Sequence, residues 1–310
     1  MTKTKSAVEE QMPDLSTFRY TDRLPEGFFT RGLVSAQSKP FQSALFRARQ
    51  YSVAEYPESA RQYFRLELDD EGNITGSDTF DVALVDRLVR PSGARTILPR
   101  QVDGEIFSLI ENRFYIDPKA LILRGTRESY EKNIPLANHL TDLVGEHGIT
   151  NLSTPVLITG YDIAPWPEDE KGYGIKIVPI EGEFEVIQSD KLTTRYNEWR
   201  FNSFGVDNLP GHLDKNNGRF TWLTSDRRLC RFFVYWDGVA CADDEYLDCS
   251  GEFGRVVVVS GEAGTPTLLT LDKTIDAQVR SELLEELERD IQNRNSETER
   301  LQALCEKLKR

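Results

Sequence analysis

Three cysteines, Cys230, Cys241 and Cys249, fall inside Arg228–Ser260 of a 310-residue chain that holds four in all. Thiols so grouped raise two chemistries, a metal centre and a nucleophile. Structural zinc uses a tight pair of ligands a few residues apart. Here ten residues separate the first two cysteines and seven the next two, so that pair is missing. A nucleophilic cysteine needs a base, and the histidines are His139, His147 and His212. Only the fold can bring such partners together, and spacing alone leaves these histidines as surface or capping residues. There is no HExxH pair and no GxSxG elbow. The carboxylates of Asp243, Asp244, Glu245 and Asp248 crowd the same stretch. They suit an acid–base pair, a cation site or a solvated acidic turn. No glycine-rich phosphate loop follows the apolar segments at 119–124 or 155–161, so no cofactor is expected.

The elements that would carry these residues follow from periodicity. From Leu229 to Asp237 one strand face holds Leu229, Arg231, Phe233, Tyr235 and Asp237, and the other holds Cys230, Phe232, Val234 and Trp236. The second face is apolar and core-like, whereas the first mixes aromatics with charge. Residues 254–260 then form a β-branched strand suited to burial. Aromatics and acids on an ordered backbone offer a large contact area at low entropy cost, which suits recognition.

The same stretch resembles the variable region of target proteins of diversity-generating retroelements. In that family adenine-directed errors turn Asn codons into Phe, Tyr, Cys, Asp, Gly and similar residues. Such types stand at Cys230, Phe232, Phe233, Tyr235, Asp237, Cys241, Asp243, Asp244, Tyr246, Asp248, Cys249, Gly251 and Phe253. Between them lie Arg231, Gly238, Ala242, Leu247, Ser250, Gly254 and Arg255, which look fixed. The resemblance covers residues 222–260. It implies a C-type-lectin-like fold that displays Phe232, Phe233, Tyr235, Asp237, Cys241, Asp243, Asp244, Tyr246, Asp248 and Phe253 to a ligand.

Around this stretch the chain divides into a flexible leader (1–17), an α/β body (18–163), a β-rich recognition region (164–260), and a linker with a long C-terminal helix (261–310). The expected class is α+β. Within the body, residues 60–90 alternate like a β-hairpin, with DDEGNITGSD as its solvated tip and TFDVALVDRLV as the returning strand. Residues 119–163 read strand, helix, strand and suit a βαβ unit. The helix begins at Glu128 or, if Pro135 marks its true start, later. IKIVPI (175–180) and FEVI (184–187) read as strands. Leu284, Leu287, Ile291, Leu301, Cys305 and Leu308 give 272–310 a weak heptad, a route to packing on the chain or to a homo-oligomer.

Net charge is −13, which disfavours a general nucleic-acid binder. No apolar run approaches a membrane span. Four cysteines without a CxxC pair suit a cytoplasmic protein, or a virion or cell-surface one reached without a classical signal peptide. The first functional expectation is a non-enzymatic binder of a protein or glycan ligand. The alternatives are a hydrolase with an acidic site between the α/β and β-rich halves, and a structural or viral assembly protein organised by the terminal helix.

Overall fold

A computed structural model describes residues 31–33, 39–68, 74–92, 94–102, 114–193, 199–251 and 253–260. The expected leader 1–17, the linker and the helix 272–310 lie outside the described residues. In chain order the first part contains β1 (Arg31–Leu33), α1 (Lys39–Val53), α2 (Glu58–Arg61), β2 (Glu67–Leu68), β3 (Ile74–Thr75), α3 (Thr79–Val89), β4 (Ala94–Thr96), β5 (Tyr115–Ile116) and β6 (Leu121–Leu123). It continues with α4 (Asn133–Glu146), β7 (Val156–Thr159), β8 (Tyr161–Pro165), β9 (Ile175–Pro179) and β10 (Glu185–Gln188). The last part holds β11 (Trp199–Phe201), β12 (Phe220–Thr224), β13 (Leu229–Tyr235), β14 (Val239–Asp244), β15 (Gly254–Arg255) and β16 (Val257–Ser260). The class is α+β.

The largest sheet runs β10-β7-β6-β13-β14-β12-β11, with β5 pairing both β13 and β15. A second sheet runs β1-β16-β4, and β2-β3 and β8-β9 form separate pairs. Strands from both sides of residue 163 therefore share one sheet, and β13 joins them by pairing with β6 and β5 as well as β14. Gly160, at φ +66°, makes the corner between β7 and β8, where a Cβ would meet the Glu183 carbonyl at 1.8 Å. Only glycine fits that corner.

Three expectations are corrected. Residues 79–89 are a helix, not a returning strand; the hairpin ends at β3. Asp78, expected in a solvated tip, is fully buried and caps α3, its Oδ1 accepting the N–H groups of Phe80 and Asp81. The acids that make the segment alternate face inward as acceptors. Asp81 Oδ2 accepts from the backbone of Arg65 and Leu66, and Asp86 Oδ1 accepts from Thr96 N. The strand–helix–strand at 119–163 has the expected elements, but β6 and β7 are antiparallel, so it is not a βαβ unit. Pro135 lies in the first turn of α4, which starts at Asn133.

Two large cores flank the main sheet. One unites α1, α3 and α4 with Tyr56, Phe80, Leu121, Leu140 and Leu229. The other packs Phe201, Phe220, Trp222 and Phe232 against Ile97, Val257 and Val259. A third, small cluster comprises Tyr115, Phe233 and Cys241, with Leu223 and Val239 partly buried against it. This small cluster marks the face on which the candidate site stands.

Candidate functional site

On β13 the alternation of side chains is real, but both faces are covered along most of its length. Phe232 is 2% exposed and Phe233 5% exposed. On one face Leu229 joins the helix-lined core and Phe233 the small cluster, and on the other Phe232 and Val234 pack with Trp222 and Phe204. Phe232, Phe233, Cys241 and Asp248 thus belong to the interior, where they cannot be displayed to a ligand. Asp243 and Asp244 are half-buried, and Asp237 is exposed. The remaining three residues of the expected face are exposed: Tyr235 at 39%, Tyr246 at 48% and Phe253 at 41%. Trp236, assigned by alternation to the core face, is 44% exposed because β13 ends at Tyr235. Among the described residues the other large exposed hydrophobics are Ile134 and Val206, so every strongly exposed aromatic lies between 235 and 253.

Each exposed aromatic stands on fixed backbone. Gly238 N donates to the Tyr235 carbonyl at 3.0 Å, closing a turn with Trp236 and Asp237 at its tip. Gly238 has φ +87°, and a Cβ there would meet the Arg219 carbonyl at 2.8 Å, so the turn requires glycine. Trp236 N donates to the Phe114 carbonyl at 3.0 Å. The Tyr235 ring packs 5.2 Å from Phe233 and 6.0 Å from Tyr115. Tyr246 packs 4.9 Å from Tyr130.

The segment carrying Tyr246 and Phe253 is tied to residues distant in sequence. Thr79 N donates to the Leu247 carbonyl at 3.2 Å, Ser77 N to Ser250 Oγ at 3.1 Å, and Gly251 N to the Tyr115 hydroxyl at 2.9 Å. Tyr115 N donates to the Phe253 carbonyl at 3.1 Å. Ordering a loop before it binds removes that entropy cost from association.

Beneath the face lies a buried charge cluster centred on Arg231. Its Nε meets Asp244 Oδ2 at 3.0 Å, its Nη1 lies 3.6 Å from Asp117 Oδ1, and Nη1 also donates to the Cys249 carbonyl. The guanidinium sits 4.6 Å from the Phe233 ring centre and 5.4 Å from that of Tyr115. Burial works against the Arg231 charge, but Asp117 and Asp244 outweigh it and keep the group protonated. Burial lifts the Asp117 carboxyl to about 6, opposed by Arg231 and by the Ser77 hydroxyl that donates to its Oδ2. Burial and then Asp81 push Asp78 well above the usual carboxylate range, and its Oδ2 is buried without a hydrogen-bond partner. Ser77, Asp78, Tyr115 and Asp117 were not singled out from sequence. Ser77 and Asp78 sit in what reads as a polar turn, and no motif in the sequence marks Tyr115 or Asp117.

These carboxylates converge, and Asp78, Asp81, Asp117 and Asp248 are buried. Two open clefts of about 440 and 660 Å³ lie around Arg124, Ser153 and Asp226 and around Asp142 and Glu146. Asp78, Asp81, Asp117, Asp243, Asp244 and Asp248 line neither of them. The cysteines are separated in role: Cys230 is buried on the opposite face beside Arg124, Cys241 belongs to the small cluster, and Cys249 is exposed. His139 and His147 bond to the backbone carbonyls of Ile177 and Leu143. No three His, Cys, Asp or Glu side chains form a metal-holding group among the described residues. No helix of the described residues is long and apolar enough to cross a membrane.

Comparison with protein-family models, curated proteins and solved structures finds no match for this chain.

Proposed function

We propose that this protein is a non-enzymatic binder whose aromatic and acidic surface between Tyr235 and Phe253 engages a macromolecular ligand. The observation that carries the proposal is the placement of Tyr235, Trp236, Tyr246 and Phe253, all exposed, on backbone held by the Tyr115, Ser77 and Gly238 contacts. Exposed aromatics on a rigid frame are the usual anchors of binding surfaces. The hydrolase alternative has weaker support, because a working acid–base pair must reach substrate. The raised carboxyls of Asp78 and Asp117 are sealed beneath the surface instead. Diversification in the manner of a retroelement target would fall on the exposed subset. Random replacement at Phe232, Phe233 or Cys241 would open or overfill a packed interior.

The test is retention of peptide and glycan arrays by the full chain and by a Tyr235→Ser, Trp236→Ser, Phe253→Ser triple variant. Loss of retention in the variant, with an unchanged melting temperature, is expected. Equal retention by both overturns the proposal.

A further inference from the structure

The outer face of β12, β14, β13 and β5 carries the small apolar cluster, and its chemistry narrows the ligand. In register, Leu223 lies opposite Cys241 and Phe233 opposite Cys241, so Leu223, Cys241 and Phe233 share this face, with Tyr235 two residues beyond Phe233. The face is thinly covered: Tyr235 is exposed, and Leu223 and Val239 are only half-buried. Its edge is acidic. Asp237 stands exposed in the turn beside Trp236. Burial and then Cys241 shift the Tyr235 hydroxyl upward, Arg231 opposes them, and Asp244 and Asp243 add to the rise. Asp243 and Asp237 likewise help burial to raise the Cys241 thiol. Between Arg231 and Arg255 the chain has six acids and no Lys or Arg. The cation under the face, Arg231, is buried and engaged by Asp117, Asp244 and the Cys249 carbonyl.

Resting on the binding surface proposed above, we infer that its ligand is a polypeptide segment bearing exposed Arg or Lys side chains, which meet the exposed rings of Tyr235 and Trp236 separately and pair with Asp237. The protein already contains this recognition in miniature. Arg231 lies against the rings of Phe233 and Tyr115 while its nitrogens meet Asp244 and Asp117. An aromatic face attracts a cation through its quadrupole, and a neighbouring carboxylate adds a charge-assisted hydrogen bond. An anionic ligand would meet the opposite field, and the chain's net charge of −13 extends that field.

The probes are a short peptide alternating Arg and Gly, its Glu–Gly counterpart and a neutral oligosaccharide, each labelled and titrated by fluorescence anisotropy against the full chain. Trp236→Ser removes the aromatic, and Asp237→Asn removes the charge while its side-chain oxygen still accepts from Val239 N. The Arg–Gly peptide is expected to bind, to weaken as salt rises, and to lose about fivefold or more in affinity with either variant. Equal binding to wild type and variants, or no binding at all, overturns the inference. If the Glu–Gly peptide or the oligosaccharide binds and depends on Trp236, the surface stands but the cationic ligand is wrong. If a probe binds and none depends on Trp236, both fall. Self-association of the full chain that vanishes with Trp236→Ser identifies a second copy as the occupant and also overturns it.

Discussion

The hydroxyl of Tyr115 accepts the backbone N–H of Gly251 at 2.9 Å and donates to the Ser77 carbonyl at 3.3 Å. One side chain on β5 thus ties the segment bearing Tyr246 and Phe253 to the turn that starts α3. Tyr115→Phe keeps the ring and removes both bonds. The expected cost is about 1–3 kcal/mol of stability, because a part-buried N–H is left unpaired. Amide exchange at Gly251 should accelerate while exchange in α4 does not, which hydrogen-exchange mass spectrometry resolves. Unchanged exchange at Gly251 would show that this bond does not order the segment.

Phe233 and Tyr235 test the division between interior and display. They are two residues apart on β13, yet one is buried and the other is exposed. Phe233→Ala should cost about 3–5 kcal/mol as a core truncation. Tyr235→Ala should cost less than about 1 kcal/mol, as an exposed change does. Chemical denaturation of the two variants measures the contrast. A library varied at Tyr235, Trp236, Asp237, Tyr246 and Phe253 should fold in most members, whereas one varied at Phe232, Phe233 and Cys241 should not.

Arg231 should be replaceable by nothing simple. Arg231→Met leaves Asp117 and Asp244 without their cation at a buried site, and a loss of about 3–5 kcal/mol is expected. Arg231→Lys should recover little of it, since one ammonium cannot reach Asp244, Asp117 and the Cys249 carbonyl while lying flat on Phe233. Thermal melts of the two variants give the comparison.

Asp117 gives a pH dependence with a definite sign. Its folded pKa, about 6, lies above its ordinary value of 3.8. The folded state therefore holds the proton more tightly than the unfolded chain. That contribution to stability is complete below about 3.8 and is lost as pH rises through about 6, at up to about 1.4 kcal/mol per pH unit. Asp117→Asn should flatten the stability profile between these limits. Asp78, raised by burial and then by Asp81, also feels the Asp117 charge, so Asp78→Asn should alter the same profile in concert with Asp117 and not additively with it. An unchanged slope in Asp117→Asn, measured by urea unfolding across the window, would contradict the assignment.

Local pattern revealed the elements whose neighbours matter least. Leu136, Leu140, Leu143 and Val144 mark α4 through helical spacing, and β9 and β10 show as apolar runs. The α3 segment misleads because Asp81 and Asp86 fall where a strand would turn polar residues to water, while the fold uses them as buried acceptors. The exposed half of the candidate site was visible in the side-chain types of 235–253. Its supports were not, because the contacts that hold it span 136 residues for Tyr115–Gly251 and 173 for Ser77–Ser250. Alternation on β13 likewise shows two faces but cannot show that β5, β6 and β14 pair around it and help bury both.

The most direct measurement of the central claim is the dissociation constant of an array-selected ligand for the full chain and for the Tyr235→Ser, Trp236→Ser, Phe253→Ser variant, with the melting temperature of each. If these aromatics are the binding surface, the variant melts as the wild type does and binds at least about tenfold more weakly. Equal dissociation constants with both proteins folded would contradict it.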